Sequence, residues 1–335
     1  MKDVKSVLIF DSEIESPVVT IAIPTYKRGE LLSEAIQSAI HQEGFQLPYD
    51  IMVVDNEPSR NDITEEIMVQ YKNHPSVSYY KNSENLGMSG NWNHLYDLAK
   101  GKYVVMLHDD DLLLSYYLKI IFSLLEATNY KYELVYPSSI LSKDRIFPAT
   151  NLLPDIMKYR IIKREDYIVN QWGAPSGMLI KKSMFPLTGG FDDYFYPAQD
   201  QEFIYRSLKD LKGCVVCFPI VLYYVGVNES MKIETQIAAL SKIKEFNHLI
   251  RKDKDNKLRL CAYISYRPQI YHQLNFFDNY VNKDKSFTNV IKKEIGFRDN
   301  KLLYKFSNYF VYFLNIILCK FRIYNFPITE KYNIE

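Results

Sequence analysis

Three adjacent carboxylates, Asp109, Asp110 and Asp111, stand directly after the run 103–108 (YVVMLH), which is apolar up to Leu107. That run, preceded by Gly101, is typical of a buried strand. Because a packed core does not accept unpaired charges, we expect the triplet at the C-terminal tip of the strand, where α/β sheets bind ligands. Carboxylates there can hold a divalent cation that is shared with substrate phosphates. The alternative is an N-cap for the next helix, but one Asp is enough for a cap, so the triplet favours a metal–diphosphate site.

Polar side chains also follow the other predicted strands of the N-terminal half. They occur at residues 24–28 (PTYKR), 55–56 (DN) and 85–87 (NLG). In a parallel sheet these strand tips converge on one crevice. Lys27 and Arg28 could meet phosphate, and Asp55 could bind ribose or base edges. Each signal is weak alone, since Lys-Arg pairs are common in solvated loops and Asp is common in turns, but their shared placement favours ligand binding.

The elements that would position these residues alternate between strands and helices. Strand-like apolar runs lie at 18–23, 49–54, 77–80 and 103–107, and helical spacing lies at 29–41, 63–71, 92–99 and 115–126. This alternation predicts βαβ units with a mostly parallel sheet. In the second half we expect strands at 134–136, 176–180 and 215–225, a helix at 200–208 and an irregular stretch at 141–170. From residue 231 the pattern becomes helical and basic.

The composition is that of a globular chain and argues against several function classes. Of the 335 residues 47% are apolar, and the net charge is +1, so no global field points to a nucleic-acid partner. The P-loop and G-x-G-x-x-G motifs are both missing from the sequence. Cys214 and Cys217 form a C-x-x-C without a second close pair, which favours buried cysteines in a strand over a zinc site. The N-terminus lacks a cleavage-like signal, so we expect a cytoplasmic protein.

Five segments together resemble the family 2 glycosyltransferases of the GT-A fold. They are residues 18–28 (VVTIAIPTYKR), 51–56 (IMVVDN), 85–93 (NLGMSGNWN), 103–112 (YVVMLHDDDL) and 189–203 (GGFDDYFYPAQDQEF). Each motif is short, but the five occur in the family's order and spacing over roughly residues 17–226. The resemblance implies a Rossmann-like sheet flanked by helices, a nucleotide-sugar donor, a divalent metal (Mn²⁺ or Mg²⁺) and inversion at the anomeric carbon.

The resemblance also implies roles for individual residues of this chain. The metal would be held by Asp110 and Asp111, although His108 with Asp110, or Asp109 with Asp111, are alternative registers of the D-x-D-type motif. The donor would be bound by residues of four motifs: Pro24, Thr25, Tyr26 and Arg28 in the first loop, Asp55, then Asn85, Gly87 and Asn91, and finally Asp109 at the ribose.

Asp200 matches the catalytic base of the family, and Gln199 stands before it where relatives often carry Glu. A carboxylate near an acceptor hydroxyl can take its proton and so assist in-line attack. The alternative for Asp200 is a helix N-cap. The Gln-x-x-Arg-Trp element of polymerising relatives is missing, so we expect one sugar to be added per acceptor.

These inferences predict a GT-A domain at residues 1–230 and a helical C-terminal region at 231–335. Residues 306–319 are apolar but too short for a confident membrane span, and residues 281–325 carry nine Lys or Arg against three acids. Such a segment could lie on the inner face of an anionic membrane, or it could be a core or homodimer helix.

We therefore expect an inverting, metal-dependent hexosyltransferase of bacterial cell-surface polysaccharide synthesis. Its donor would be a nucleotide-sugar, with a UDP-sugar favoured, and its acceptor a saccharide or lipid-linked saccharide. One alternative is a sugar-nucleotide nucleotidyltransferase, which would require a Gly-rich basic loop after the first strand. The other is a non-catalytic sugar-nucleotide-binding scaffold, which would not need Asp200.

Overall fold

The computed structural model describes most of the chain up to residue 276. The described residues are 6–147, 153–169, 175–226, 229 and 232–276, followed by 292–293, 305, 307–309, 311, 322–329 and 331–332. Within them, one mixed sheet of 11 strands forms the centre of the molecule. Helices cover both faces of this sheet, so the predicted α/β architecture is confirmed.

The N-terminal half is built from βαβ units. Its strands are β1 (Ser6–Phe10), β2 (Val19–Thr25), β3 (Tyr49–Asp55), β4 (Val77–Asn82) and β5 (Tyr103–Met106). Its helices are α1 (Glu30–Ile40), α2 (Ile63–Val69), α3 (Gly87–Leu98) and α4 (Tyr117–Ala127). Strands β4, β3, β2 and β5 are parallel neighbours in that order, and β1 pairs antiparallel with β4. The parallel arrangement expected from the alternation is therefore confirmed, and it brings the C-terminal ends of these strands to one edge.

The second half extends the same sheet. The short β6 (Leu112–Leu113) precedes β7 (Leu134–Ser142), β8 (Ile156–Ile162), β9 (Met178–Lys181), β10 (Gly213–Tyr224) and β11 (Ile323–Pro327). Strand β9 is antiparallel to both β5 and β7, so β7 runs parallel to β5, and β10 in turn runs parallel to β7. The helices are α5 (Arg164–Val169), α6 (Phe185–Thr188), α7 (Gln199–Ser207), α8 (Ile233–Ile250) and α9 (Asn256–Phe276).

Alternation along the buried strands divides the core into two layers. In β2, Ile21 and Ile23 pack with Leu32 and Ile36 of α1, whereas Ala22 belongs to the opposite layer with Leu95 of α3. Successive side chains of a strand point to opposite faces, so a strand that is covered on both sides reads as a continuous apolar run. This is why the strands of the first half were visible in the sequence.

Two expectations about irregular and helical regions were wrong. The stretch 141–170 contains the end of β7, the whole of β8 and α5, with Met157 and Tyr159 buried at alternate positions of β8. The C-terminal region is helical in α8 and α9, but Ile323–Pro327 is a strand that pairs antiparallel with β8. Lys158 and Arg160 alternate with the buried Met157 and Tyr159, which is a strand signal that the prediction of an irregular stretch overlooked. The pairing of β11 with β8 joins residues so distant in sequence that it has no local signature.

The described residues contain no helix with both the length and the apolarity to cross a membrane. The segment 306–319 lies largely outside the described residues, with 307–309 and 311 helical. Helix α9 packs against α5 and α8. The division of the chain at residue 230 stays a prediction.

Candidate active site

A cavity of about 740 Å³ lies at the C-terminal ends of β2 and β5, bounded by α3, α7 and the start of α8. The sequence-predicted residues that line it are Pro24, Thr25, Tyr26, Arg28, Asn85, Gly87, Asn91, Asp109, Asp110 and Asp200. The strand tips therefore do converge, because parallel strands end at the same edge of the sheet. The predicted residues outside its lining are Asp55 and Asp111.

Arg28 links the first strand tip to the carboxylate triplet. Its Nε lies 3.4 Å from Asp109 Oδ1, and its Nη2 lies 3.3 Å from Asp110 Oδ2. Lys27 beside it contacts Glu57 at 3.1 Å and adopts a positive φ of 52°. The guanidinium offsets part of the repulsion between two adjacent carboxylates.

His108, Asp110 and Asp111 form the described group of side chains that could hold a metal ion. One ligand atom from each lies within 4.8 Å of the others. His108 Nδ1 is 3.6 Å from Asp111 Oδ2, and both Asp111 Oδ2 and His108 Nε2 are buried without a hydrogen-bond partner among the described residues. Two carboxylates and an imidazole suit Mn²⁺, and the carboxylates alone suit Mg²⁺, so the residues fit the cation that the resemblance implies. Which of these residues bind the metal stays a prediction.

The electrostatics of this cluster follow from burial. Burial and, to a lesser extent, the neighbouring Asp110 charge raise the pKa of Asp109 to about 7, against the opposing charge of Arg28. The pKa of Asp111 is raised well above its ordinary value by burial and by Asp110, while its Oδ1 accepts a hydrogen bond from Tyr224 N at 2.8 Å. Burial lowers the pKa of His108, which favours its neutral, metal-ligating form. A bound cation would stabilise the ionised carboxylates of such a cluster.

An amide network fixes the third strand tip. Asn56 Nδ2 donates to Asn85 Oδ1 at 3.0 Å and to the Gly87 carbonyl at 3.1 Å, and its Oδ1 accepts from Leu86 N. Gly87 has φ +69°, a conformation that side chains with Cβ rarely adopt. Asn91 Oδ1 in turn accepts from Asn82 Nδ2 at 2.9 Å. The loop that leads into α3 is thus held against the end of β3 by side chains rather than by a strand ladder.

Asp55 lies behind the loop 85–87 and does not line the cavity. Its Oδ2 accepts hydrogen bonds from Tyr79 OH and Lys81 Nζ, each at 2.8 Å, and its Oδ1 accepts from Glu57 N. Asp55 is fully buried and Lys81 is only 3% exposed. These contacts hold the turn that carries Asn56 and Glu57, so the structure does not bring Asp55 together with the other predicted donor-binding residues. A direct contact of Asp55 with base or ribose stays a prediction.

Asp200 lines the cavity from α7. The N-cap of α7 is Ala198, and Asp200 Oδ1 accepts a hydrogen bond from the adjacent Gln201 N at 2.9 Å, so the N-cap alternative is wrong. Partial withdrawal from water raises the pKa of Asp200 to about 6. A carboxylate with this pKa is ionised at neutral pH and is still a better proton acceptor than an exposed Asp. Gln199 beside it is buried and donates from Nε2 to Met88 Sδ at 3.0 Å.

Several residues of the cavity were not predicted as site residues. Asn56 was passed over because it follows the more conspicuous Asp55, and Trp92 stacks on His108 with ring centres 5.2 Å apart. A further wall comes from Tyr196, Pro197, Tyr223, Glu229, Lys232 and Thr235. Two of these residues have a signal in the sequence. Asn56 stands at a strand tip, and His108 belongs to one register of the D-x-D-type motif. The residues around the start of α8 had no sequence signal.

The comparison with protein families decides the identity of the domain. The family model described as Glycosyl transferase family 2 matches residues 20–186. The chain contains a family 2 glycosyltransferase domain. The match favours a glycosyltransferase over a nucleotidyltransferase or a scaffold, and it covers the cavity residues of β2, β3, α3 and the triplet.

Curated relatives of this glycosyltransferase carry compatible names. A GalNAc(5)-diNAcBac-PP-undecaprenol beta-1,3-glucosyltransferase of Campylobacter jejuni is 24% identical over 257 residues, which are 74% of this chain and 80% of the relative. The abequosyltransferase RfbV of Salmonella typhimurium is 34% identical over 112 residues, 33% of each chain. Both relatives are named as glycosyltransferases, in agreement with the family match.

Solved structures show the same GT-A fold. TarS 1-349 of S. aureus in complex with UDP-GlcNAc superposes with a TM-score of 0.57 at 14% identity, covering 86% of this chain and 79% of TarS. The mannosyltransferase PcManGT of Pyrobaculum calidifontis, in complex with GDP-Man and Mn²⁺, gives a TM-score of 0.53 at 13% identity over 92% of this chain and 84% of PcManGT. At these identities the comparison shows the fold of the glycosyltransferase, not its substrates.

Proposed function

We propose that this glycosyltransferase moves one sugar from a nucleotide-diphosphate sugar to an acceptor hydroxyl, with inversion and with a divalent metal. A UDP-sugar is the favoured donor, and the acceptor is a saccharide or lipid-linked saccharide of bacterial cell-surface polysaccharide synthesis. Supporting the pathway is the relative from Campylobacter jejuni, whose name states an undecaprenol-linked acceptor. Supporting the donor class are neighbours solved with UDP-GlcNAc and GDP-Man.

The observation that carries this proposal is the position of Asp200 in the same cavity as the carboxylate triplet. The base and the diphosphate site must flank one reacting carbon if the acceptor hydroxyl is to attack in line. Asp200 takes the proton from that hydroxyl, and its raised pKa makes it a stronger base than an exposed Asp. A single displacement with one base inverts the anomeric carbon, because no covalent intermediate precedes the attack.

The opposite wall of the cavity binds the donor. Arg28 meets the diphosphate, and Asp109 faces the ribose. His108, Asp110 and Asp111 would hold Mn²⁺ or Mg²⁺, which supplies charge neutralisation for the departing diphosphate. The Asn56 network keeps the loop of Asn85 and Gly87 in position beside the donor, so little ordering is needed on binding.

Replacement of the base tests the proposal. We expect Asp200→Asn to lower Mn²⁺-dependent release of UDP from UDP-GlcNAc or UDP-glucose by about 10²–10⁴-fold, the usual contribution of a positioned base. UDP affinity, measured by calorimetry, should stay nearly unchanged because Asp200 does not touch the nucleotide in this proposal. The control is Asp210→Asn, an exposed residue outside the cavity.

Near-native UDP release by Asp200→Asn, with the control also active, would remove Asp200 from the base role. Equal loss of UDP affinity and of turnover would instead assign it to donor binding. A companion measurement compares UDP affinity with Mn²⁺ and with EDTA, and equal values would contradict the metal dependence.

A further inference from the structure

A second cavity, of about 520 Å³, lies away from the active site. It is lined by the start of β10, the end of β8, the start of α5, the turn after α7 and the start of α9. The lining residues used below are Lys131, Lys163, Arg164, Lys209, Lys212 and Glu165. The proposed transfer reaction uses none of them.

The two cavities lie at opposite ends of the strands, on either side of the sheet's length along the strand direction. Strands β2, β5, β7 and β10 run parallel, and the active-site cavity includes Tyr223 near the end of β10. The second cavity includes Gly213, where β10 begins, and Tyr132, which precedes β7. Ten residues of strand separate Gly213 from Tyr223, roughly 30 Å at the usual rise per residue. A ligand in the second cavity therefore cannot touch the donor or the catalytic base.

Positive charge dominates the second cavity. Its lining carries the five cations Lys131, Lys163, Arg164, Lys209 and Lys212 against the two acids Glu165 and Asp255. Glu165 is already engaged, 2.7 Å from Lys257 and 3.7 Å from Arg322. The four lysines are exposed and make no ion pair with any acid in the described part of the chain. Cations of one sign around a concave surface concentrate anions from solution.

Arg164 gives this cavity a fixed donor rather than only mobile charges. Its guanidinium stacks over the Tyr205 ring at 4.2 Å, and its Nη2 lies 3.3 Å from Asp253 Oδ2. Its Nε is buried and has no hydrogen-bond partner among the described residues. A guanidinium held in this way loses little side-chain freedom when it binds an oxyanion, and buried donors of this kind are normally paired.

We propose that this cavity binds a phosphate group, and so forms an anion site separate from the active site. Phosphate fits because it carries up to two charges and accepts hydrogen bonds from lysine ammonium groups and from guanidinium together. The group belongs either to a soluble phosphate compound or to the headgroup of a phospholipid. Because the site faces away from the active-site opening, its ligand is neither the donor nor the reacting acceptor hydroxyl.

The probe is inorganic phosphate, titrated into the full chain in EDTA and followed by calorimetry. We expect the double variant Lys163→Gln/Lys209→Gln to weaken phosphate binding by about tenfold, the size expected when charge-assisted hydrogen bonds are lost. The charge-matched control Lys72→Gln/Lys244→Gln changes two exposed lysines elsewhere and should bind phosphate as the unaltered protein does. Arg28→Ala removes any phosphate bound at the proposed diphosphate position, so the weakening in the double variant should be the same with and without Arg28→Ala.

Vesicles distinguish the two sources of the phosphate group. Binding of inorganic phosphate that depends on Lys163 and Lys209 supports a soluble ligand. Flotation with phosphatidylglycerol vesicles but not with phosphatidylcholine vesicles, lost in the same double variant and retained in the control, supports a phospholipid headgroup. If both measurements are the same in the double variant and in the control, or if Arg28→Ala alone abolishes phosphate binding, the second cavity is not an anion site.

Discussion

At the scale of single residues, Asp200 links the geometry of the cavity to a measurable pH dependence. Burial, with a smaller contribution from the Asp200 charge, raises the pKa values of the nearby phenols Tyr136 and Tyr167 well above the ordinary range, so both stay neutral. The ionised form of Asp200 is therefore set mainly by its own pKa of about 6, which withdrawal from water has raised. Only the ionised form can take a proton from the acceptor.

We expect the rate of UDP release at saturating donor to fall about tenfold per pH unit below about 6 and to level off above it. The sign follows from the role of the group, since a base is inactive when protonated. The measurement is a pH–rate profile between pH 4.5 and 9 in the unaltered protein and in Asp200→Asn. If the residual activity of Asp200→Asn falls below pH 6 in the same way, the fall is due to the protonation of another group.

We expect His108 to set the metal preference of the proposed metal site. An imidazole nitrogen beside two carboxylates favours Mn²⁺ over Mg²⁺, because Mg²⁺ strongly prefers oxygen ligands. We expect the protein with UDP to bind Mn²⁺ at least about tenfold more tightly than Mg²⁺, and His108→Asp to narrow this ratio. Titration followed by the electron paramagnetic resonance of free Mn²⁺, with Mg²⁺ as competitor, measures both affinities. The same ratio in both proteins would show that His108 is not a ligand.

At the scale of elements, the site depends on how strand tips and helix starts are joined. The sequence predicted the tips themselves because each follows a strand that is buried on both faces, as with the triplet after β5. It could not predict the Asn56 network, because hydrogen bonds among amides 26 to 31 positions apart leave no periodic pattern. Strand β8 did have a local signal, because Lys158 and Arg160 alternate with the buried Met157 and Tyr159, and the prediction of an irregular stretch at 141–170 overlooked it.

The Asn56 network predicts that donor binding is sensitive to a residue behind the cavity wall. Asn56→Ala removes the donors to Asn85 and Gly87 and the acceptor for Leu86 N, so the loop should lose its fixed position. Each lost hydrogen bond contributes about 0.5–1.5 kcal/mol, and we expect UDP affinity to fall about tenfold. Turnover at saturating donor should change little, because Asp200 lies on another element.

Calorimetry with UDP and Mn²⁺ measures this change, and Asn73→Ala, at an exposed turn, is the matched control. A variant with unchanged UDP affinity would show that the loop keeps its position without Asn56. Loss of turnover with unchanged affinity would show that the network acts on the base rather than on the donor.

At the scale of the whole molecule, the chain forms a single large sheet whose last described strand comes from its C-terminal end. Strand β11 pairs with β8, and β8 pairs with β10, so residues 323–327 complete a layer that begins more than 300 residues earlier. Pairings of this range are set by the whole fold rather than by local sequence, which is why a helical appendage was expected instead. The active-site cavity and the second cavity lie at opposite ends of the strands of this sheet.

The sheet also buries ionisable groups outside the active-site cavity. One of them is Asp50 at the start of β3, whose burial should make the stability of the protein depend on pH. Asp50 is 1% exposed, and burial raises its pKa from an ordinary value of 3.8 to about 6. A hydrogen bond with the Thr20 side chain and the charge of Lys100 oppose the rise, and Asp11, 2.6 Å from Lys100, adds to it. The nearby phenol of Tyr80 is neutral below its own raised pKa.

The folded state therefore binds the Asp50 proton more tightly than the unfolded chain does. Its contribution to stability is fully present below about pH 4 and is lost as the pH rises through about 6. An asparagine at position 50 does not ionise, so Asp50→Asn does not lose stability as the pH rises. We expect the variant to be about 1–2 kcal/mol more stable than the unaltered protein at pH 8. This value is smaller than the pKa shift alone would give, because the buried amide is imperfectly hydrogen-bonded.

That difference corresponds to a rise in Tm of about 1–3 °C at pH 8 for a chain of this size. It should disappear near pH 4.5, where the Asp50 carboxyl is protonated in the folded protein. Thermal unfolding at both pH values measures it, and Asp210→Asn, an exposed change, should leave Tm the same at each pH. A variant that is less stable at pH 8 would show that ionised Asp50 is held by its neighbours, in which case the attraction of Lys100 outweighs the cost of burial.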